Sequence, residues 1–150
     1  MGNGVILLVD DEEFVRKALV RALREEPYEI LEAEDAKSAL QILRDKEVDV
    51  VISDLKMPGV NGLSLLRIIK DHYPDVIRIM LTGFGDMDTA IKATNEAEIF
   101  RFFTKPWDRK EIIRGLDQAI KIRKLKKENQ KLINQLEEQL SLIKNLARER

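Results

Sequence analysis

Apolar and polar positions follow two alternating rhythms along the first 120 residues. Val5-Ile6-Leu7-Leu8-Val9 is an unbroken apolar run bounded by Gly4 and Asp10-Asp11, the pattern of a strand covered on both faces. From Glu12 to Glu25 the spacing turns helical, with Phe14, Ala18, Leu19, Ala22 and Leu23 on one stripe, and Pro27 closes the segment. Tyr28 to Ala33 predicts a second strand, and Ala36 to Lys46 a helix striped by Ala36, Ala39, Leu40 and Leu43. Val48 to Ser53 predicts a third strand ending at Asp54, Leu63 to His72 a helix, and Val76 to Leu81 a fourth strand. Asp86 to Ala97 then predicts a helix and Ile99 to Phe103 a fifth strand, with a last helix beginning after Pro106.

Five strands alternating with five helices imply an α/β fold, a doubly wound parallel sheet with right-handed crossovers and helices on both faces. Ligands and chemistry in such sheets gather at the carboxyl ends of the strands. Asp10 and Asp11 follow the first strand, Asp54 the third, Thr82 the fourth and Lys105 the fifth. Singly, each has a plain structural role as a cap, a turn or a strand exit. Together they place three acids, a hydroxyl and a lysine on one edge. Crowded carboxylates raise one another's pKa or demand a cation, and an all-oxygen donor set without His or Cys selects a hard ion such as Mg²⁺. The combination suits phosphoryl transfer to a carboxylate, in which catalysis is positioning and charge stabilisation. Asp54 is the expected nucleophile, because it stands alone at the centre of the sheet and leaves the adjacent pair free for the metal.

The last segment has a third rhythm. From Trp107 to Ala147 there is no proline and one glycine, Gly115. Ile122, Leu125, Asn129, Leu132, Leu136, Gln139, Ile143 and Leu146 alternate steps of three and four, a heptad seam with Ile122, Asn129, Leu136 and Ile143 at a positions. An Asn at an a position lowers stability but fixes a parallel two-stranded register. Ile133, Leu140 and Leu142 widen the stripe, which also fits a single amphipathic helix packed on an output domain. The expected division is a globular unit at 1–120 and a coiled-coil helix at 121–150, continuous with the fifth helix.

Composition narrows the function classes. No apolar run approaches the roughly 20 residues of a spanning helix. Cys is absent, excluding a disulfide framework, a thiolate metal site and a cysteine nucleophile. With no basic-apolar leader either, a reducing cytoplasm is the expected compartment. The single histidine, His72, provides no imidazole pair and reads as a surface helix residue. The formal net charge of −1 hides a division: residues 1–108 carry 14 Lys/Arg against 21 Asp/Glu, whereas 109–131 carry nine against three. An acidic body with a basic rod argues against nucleic-acid binding by the body. Lys121, Arg123, Lys124, Lys126, Lys127 and Lys131 invite comparison with basic-region zippers, but they overlap the heptads instead of preceding them and lack base-reading polar residues.

The acidic pair Asp10-Asp11, Asp54 followed by Met57-Pro58-Gly59 and Gly62, Thr82-Gly83, and Lys105-Pro106 resemble, in order and spacing, the receiver domains of bacterial two-component response regulators. The resemblance covers residues 5–120. It implies a flavodoxin-like (βα)5 sheet in the order 2-1-3-4-5 and phosphorylation of Asp54 by a histidine kinase or phosphotransfer protein. It further implies Mg²⁺ held by Asp11, Asp54 and the backbone carbonyl of Lys56, with Asp10 helping through water, and a phosphoryl group contacted by Thr82 and Lys105. The bond before Pro106 is expected to be cis, aiming Lys105 inward. Thr82 and Phe102 take the switch positions, Phe102 without the hydroxyl of a tyrosine. Lys56 and Phe84 occupy the places that tune water attack in receivers; neither orients water, so a long-lived phosphoryl group is expected. Such a protein is no enzyme beyond its own phosphorylation and dephosphorylation. It would relay phosphorylation as a conformational or dimerisation switch through a parallel homodimer, with an output domain possible outside this chain. The alternatives are a Mg²⁺-dependent phosphohydrolase, against which Asp54-Leu55-Lys56 lacks a second acid two residues on, a non-enzymatic coiled-coil scaffold, and a DNA-binding zipper.

Overall fold

The computed structural model describes residues 4–149, without the side chains of Phe84, Ala93 and Thr94. Residues 1–3 and 150, which the expected division takes in, lie outside the described residues. Five parallel strands, β1 (Val5–Val9), β2 (Glu29–Ala33), β3 (Val50–Asp54), β4 (Ile77–Gly83) and β5 (Arg101–Lys105), form one sheet in the order β2-β1-β3-β4-β5. The helices are α1 (Glu13–Ala22), α2 (Ala36–Asp45), α3 (Gly62–His72), α4 (Met87–Ala97) and α5 (Arg109–Arg148).

Period-two side-chain direction splits each apolar strand between two cores. Leu7, Val9, Val51 and Met80 face α2, α3 and α4, where Ala39, Leu43, Leu65, Leu66, Ile69 and Ala90 meet them. Ile6, Leu8, Val50, Ile52, Ile79 and Phe103 face α1 and α5, against Leu19, Ile112, Leu116 and Ala119. Continuous burial on both faces explains why these strands read as unbroken apolar runs. Asp35 and Asn61 accept from the amides of Ser38 and Ser64, each at 2.8 Å, and so start α2 and α3.

Several local expectations shift: α1 stops at Ala22 instead of Glu25, and β4 runs on to Gly83, taking in Thr82. Phe14 is 77% exposed, and Val15 and Leu19 form the buried side of α1, with Leu23 buried just past its end. β5 begins two residues later than the apolar run predicts, because Ile99 and Phe100 lead into the sheet and the pairing runs Arg101 to Lys105 against Ile79 to Gly83. A short 3-10 turn, Phe84–Asp86, precedes α4. The Lys105–Pro106 peptide is cis, as the resemblance implies. Among the described residues no helix is long and apolar enough to cross a membrane.

Candidate functional site

Each expected residue arrives at the same edge because each closes a parallel strand or follows it at once. Asp10 follows β1, Asp54 ends β3, Thr82 lies at the close of β4 and Lys105 ends β5. Asp10, Asp11 and Asp54 bring one carboxylate oxygen each to within 4.8 Å of one another. Asp10 and Asp54 are buried and Asp11 is exposed, so the cluster has a dry floor and an open mouth. Lys105 Nζ reaches 3.1 Å from Asp10 Oδ2 and 3.3 Å from Asp54 Oδ2. Thr82 is fully buried, and its hydroxyl donates to the carbonyl of Gly83 at 3.3 Å.

Electrostatics follow from burial. The Asp54 carboxyl is pushed above its ordinary value, first by desolvation and then by the Asp10 charge, with Lys105 opposing. Burial pulls Lys105 down, but the Asp10 and Asp54 carboxylates outweigh it and hold the ammonium above its usual range. Asp10 also keeps the plain role open to it in sequence: its Oδ1 accepts from the Glu12 amide at 2.9 Å, at the start of α1.

The floor is set by a close approach. Gly62 opens α3 with its amide donating to the Leu55 carbonyl at 2.9 Å, and a Cβ there would lie 1.8 Å from the Asp54 carbonyl oxygen. Two residues that sequence reasoning did not single out join the surroundings. Arg16 donates to the Asp10 carbonyl at 2.6 Å, and Asp86 pairs with Lys56 Nζ at 2.9 Å. Asp86, four positions after Thr82, could have been noticed as an acid leaving a functional strand; nothing in the spacing flags Arg16. Leu55, Lys56, Met57, Pro58, Asn61, Leu63, Asp86 and Thr89 line an open groove beside this ion pair.

Phe102 is partly buried against the α2–α4 side of the sheet, on the strand next to Thr82. Farther away, Leu125, Leu132, Leu136, Ile143 and Leu146 of the heptad seam are 58–65% exposed, Asn129 and Gln139 are exposed, and Ile122 is half-buried against the body. Ile133, Leu140 and Leu142 are exposed as well. Chemically, the edge can hold a hard cation among carboxylate oxygens and balance added negative charge with an ammonium group.

The family profile of response regulator receiver domains matches residues 6–117. The hydrogenase transcriptional regulatory protein HoxA of Bradyrhizobium diazoefficiens is 33% identical over 128 residues, covering 85% of this chain and 26% of that protein. The DNA-binding transcriptional regulator NtrC of Escherichia coli is 34% identical over 120 residues, covering 80% and 25%. The chain thus spans about a quarter of the curated relatives it matches. Among solved structures, the signal receiver domain of an HD domain-containing protein from Pseudomonas fluorescens superposes with a TM-score of 0.76 at 42% identity, covering 80% of this chain and 96% of that one. NtrX from Brucella abortus gives 0.79 at 33%, covering 86% and 30%.

Proposed function

The chain belongs to the response regulator receiver family and serves two-component signalling, and from that premise we propose that Asp54 is its phosphoacceptor. The observation that carries this reading is the convergence of three carboxylates within 4.8 Å with a lysine spanning two of them. A carboxylate oxygen of Asp54 attacks phosphorus in a phosphohistidine of a kinase or phosphotransfer protein; the P–O bond forms as the P–N bond breaks, and the imidazole leaves. Mg²⁺ fits the all-oxygen donor set of Asp10, Asp11, Asp54 and the Lys56 backbone carbonyl, and when bound it neutralises phosphoryl oxygens. Lys105 supplies a fixed positive charge to another oxygen, and Thr82 turns its hydroxyl from Gly83 toward the new group. Phe102, beside it, repacks in response.

In this reading the chain divides into a receiver at 1–120 and a coiled-coil helix at 121–150. It works in the cytoplasm as a parallel homodimer along Ile122 to Leu146 and catalyses only its own phosphorylation and dephosphorylation. The greater length of the relatives suggests an output region to which the rod hands the change. Incubation with a small phosphodonor, followed by intact-mass spectrometry, tests the assignment. One phosphate is expected in the presence of Mg²⁺ and none in EDTA; equal labelling of Asp54→Asn would overturn it.

A further inference from the structure

Ile120 is the last buried residue of α5, and every residue from 124 to 149 is exposed. A helix without tertiary cover is marginal in water, so something must carry α5 past the body before a partner covers it. The first two turns beyond Ile120 do have such contacts: Ile122 packs partly against the body, and an ionic cluster holds the next turn. Asp49, buried at the amino end of β3, accepts from the Val5 amide through Oδ2 at 2.8 Å. Its Oδ1 lies 3.4 Å from Arg123 Nε and 3.2 Å from Lys127 Nζ. Glu47 closes the set from outside, its Oε1 2.5 Å from Lys127 Nζ. One carboxylate thereby ties β1, the entry to β3, and α5. At the same edge Gly4, at φ +124°, lets Ile120 close in, since a Cβ there would lie 2.3 Å from Ile120 Cδ1.

The direction of this contact matters. Arg123 and Lys127 occupy b and f positions of the heptads, four residues apart on one side. At 100° per residue their mean direction lies about 160° around the helix from that of Ile122, Leu125, Asn129 and Leu132. From Leu125 onward the side that grips the body is opposite the seam, while Ile122 still packs partly against the body. This also gives the basic run of the rod an acidic counterpart within the same chain, where Asp75 lines the groove with Glu47, Arg123 and Lys127.

We propose that Glu47 and Asp49 with Arg123 and Lys127 form a joint that keeps the first turns of the rod helical and fixed in rotation on the receiver, presenting the opposite face, from Leu125 to Leu132, to a second copy of this chain. The role given to that face rests on the homodimer reading above; the joint itself does not. A preformed, correctly turned first segment reduces the ordering that association must supply.

The test is hydrogen exchange of the amides of residues 121–131 at a dilution where the full chain is monomeric. Double substitution Arg123→Gln/Lys127→Gln removes the joint's cations, while Lys124→Gln/Lys126→Gln makes the same charge change on exposed positions outside it. Exchange in this segment should quicken about fivefold in the first variant and stay at the parent rate in the second. Equal exchange in parent and first variant would overturn the joint, as would equal acceleration in both variants. Unchanged circular dichroism of the receiver and unchanged phosphorylation of Asp54 separate loss of the joint from general unfolding. If exchange quickens as expected but the parent chain stays monomeric at every concentration, the joint stands and the homodimer reading falls.

Discussion

The Lys105 ammonium lies 3.3 Å from the Asp54 carboxylate and still does not hold that carboxyl at or below its ordinary value. Burial is the larger influence, Asp10 adds its charge, and Lys105 is divided between the two acids. The folded protein therefore binds the Asp54 proton more tightly than the unfolded chain does. In the metal-free fold the cost lies in burying the Asp54 charge, which its attraction to Lys105 offsets only in part.

That imbalance fixes a sign for stability. A group whose folded pKa is raised contributes stability that is full below its unfolded value, near 3.8 for Asp54, and lost as pH rises through the folded value. At neutral pH the charged Asp54 weighs against folding, so Asp54→Asn should raise the metal-free melting midpoint. A relief of ~1 kcal/mol would appear as ~2–4 °C in a chain of this size. The gap should narrow as pH falls toward 3.8. Calorimetry in EDTA across this range checks it; a variant less stable than the parent at pH 7 contradicts it.

Cation binding should stabilise the parent far more than variants that lack one of the clustered carboxylates. Mg²⁺ stabilises the parent by mass action, ~2.7 kcal/mol at 100 times its dissociation constant. Asp54→Asn and Asp11→Asn each remove an anionic donor from the cluster and should lose most of this gain. Thermal scans against Mg²⁺ concentration measure it, and an undiminished shift in both variants would remove the cation from these residues.

Gly62 sets the position of the Asp54 main chain. The Cβ of an alanine would meet the Asp54 carbonyl oxygen at 1.8 Å and its carbon at 2.8 Å, both backbone atoms without a rotamer to yield. Gly62→Ala should lose at least ~1–3 kcal/mol by denaturant unfolding and slow phosphorylation by displacing Asp54. Gly85→Ala, whose Cβ meets nothing within 4 Å, is the control and should change neither strongly.

The strands, their parallel pairing and the edge that gathers the acids are legible in sequence because burial on both faces leaves unbroken apolar runs such as Val5 to Val9. Asp54 and Lys105 stand out since each closes such a run. Phe14 misleads: α1 has apolar residues at both 14 and 15, and only packing against the sheet decides that Val15 turns inward. The start of β5 misleads for a related reason, since Ile99 is buried without belonging to the ladder. The joint at Asp49 and Arg123 was hidden altogether. Its partners lie more than seventy residues apart, and each alone reads as a strand-entry acid or a solvated helix cation.

The phosphoryl group should be long-lived. Lys56, two residues after Asp54, is drawn to Asp86 at 2.9 Å, and an ammonium so held supplies no acceptor to orient water. The side chain of Phe84, the other position expected to tune water attack, lies outside the described residues. Phe84→Glu introduces a carboxylate able to position water and should shorten the phosphoryl lifetime severalfold. Loss of phosphate followed by intact mass decides this; an unchanged lifetime would count against it.

The seam carries the last expectation. Leu125, Leu132, Leu136, Ile143 and Leu146 are each more than half exposed, while the opposite side of the first turns is engaged with Asp49 and Glu47. A face so uncovered on a rod of about 43 Å from Ala119 to Ala147 calls for a partner helix. Asn129 and Gln139 interrupt the seam twice, which weakens it and, at the a position of Asn129, selects a parallel register. Four heptads weakened in this way leave association balanced enough for ~1–3 kcal/mol from the phosphorylated receiver to shift it. Sedimentation should show a monomer–dimer equilibrium that moves when beryllofluoride mimics the phosphoryl group, and a monomer when the chain is truncated after Ile120. Asn129→Val should tighten association in both states and blunt the response, because the bias then acts on an equilibrium already displaced. Since the chain has no native cysteine, Leu125→Cys alone reports orientation: parallel rods crosslink readily through this exposed seam position, and antiparallel rods hold the two copies far apart. Monomers in both states, or failure of that crosslink in a demonstrated dimer, would sink the parallel model.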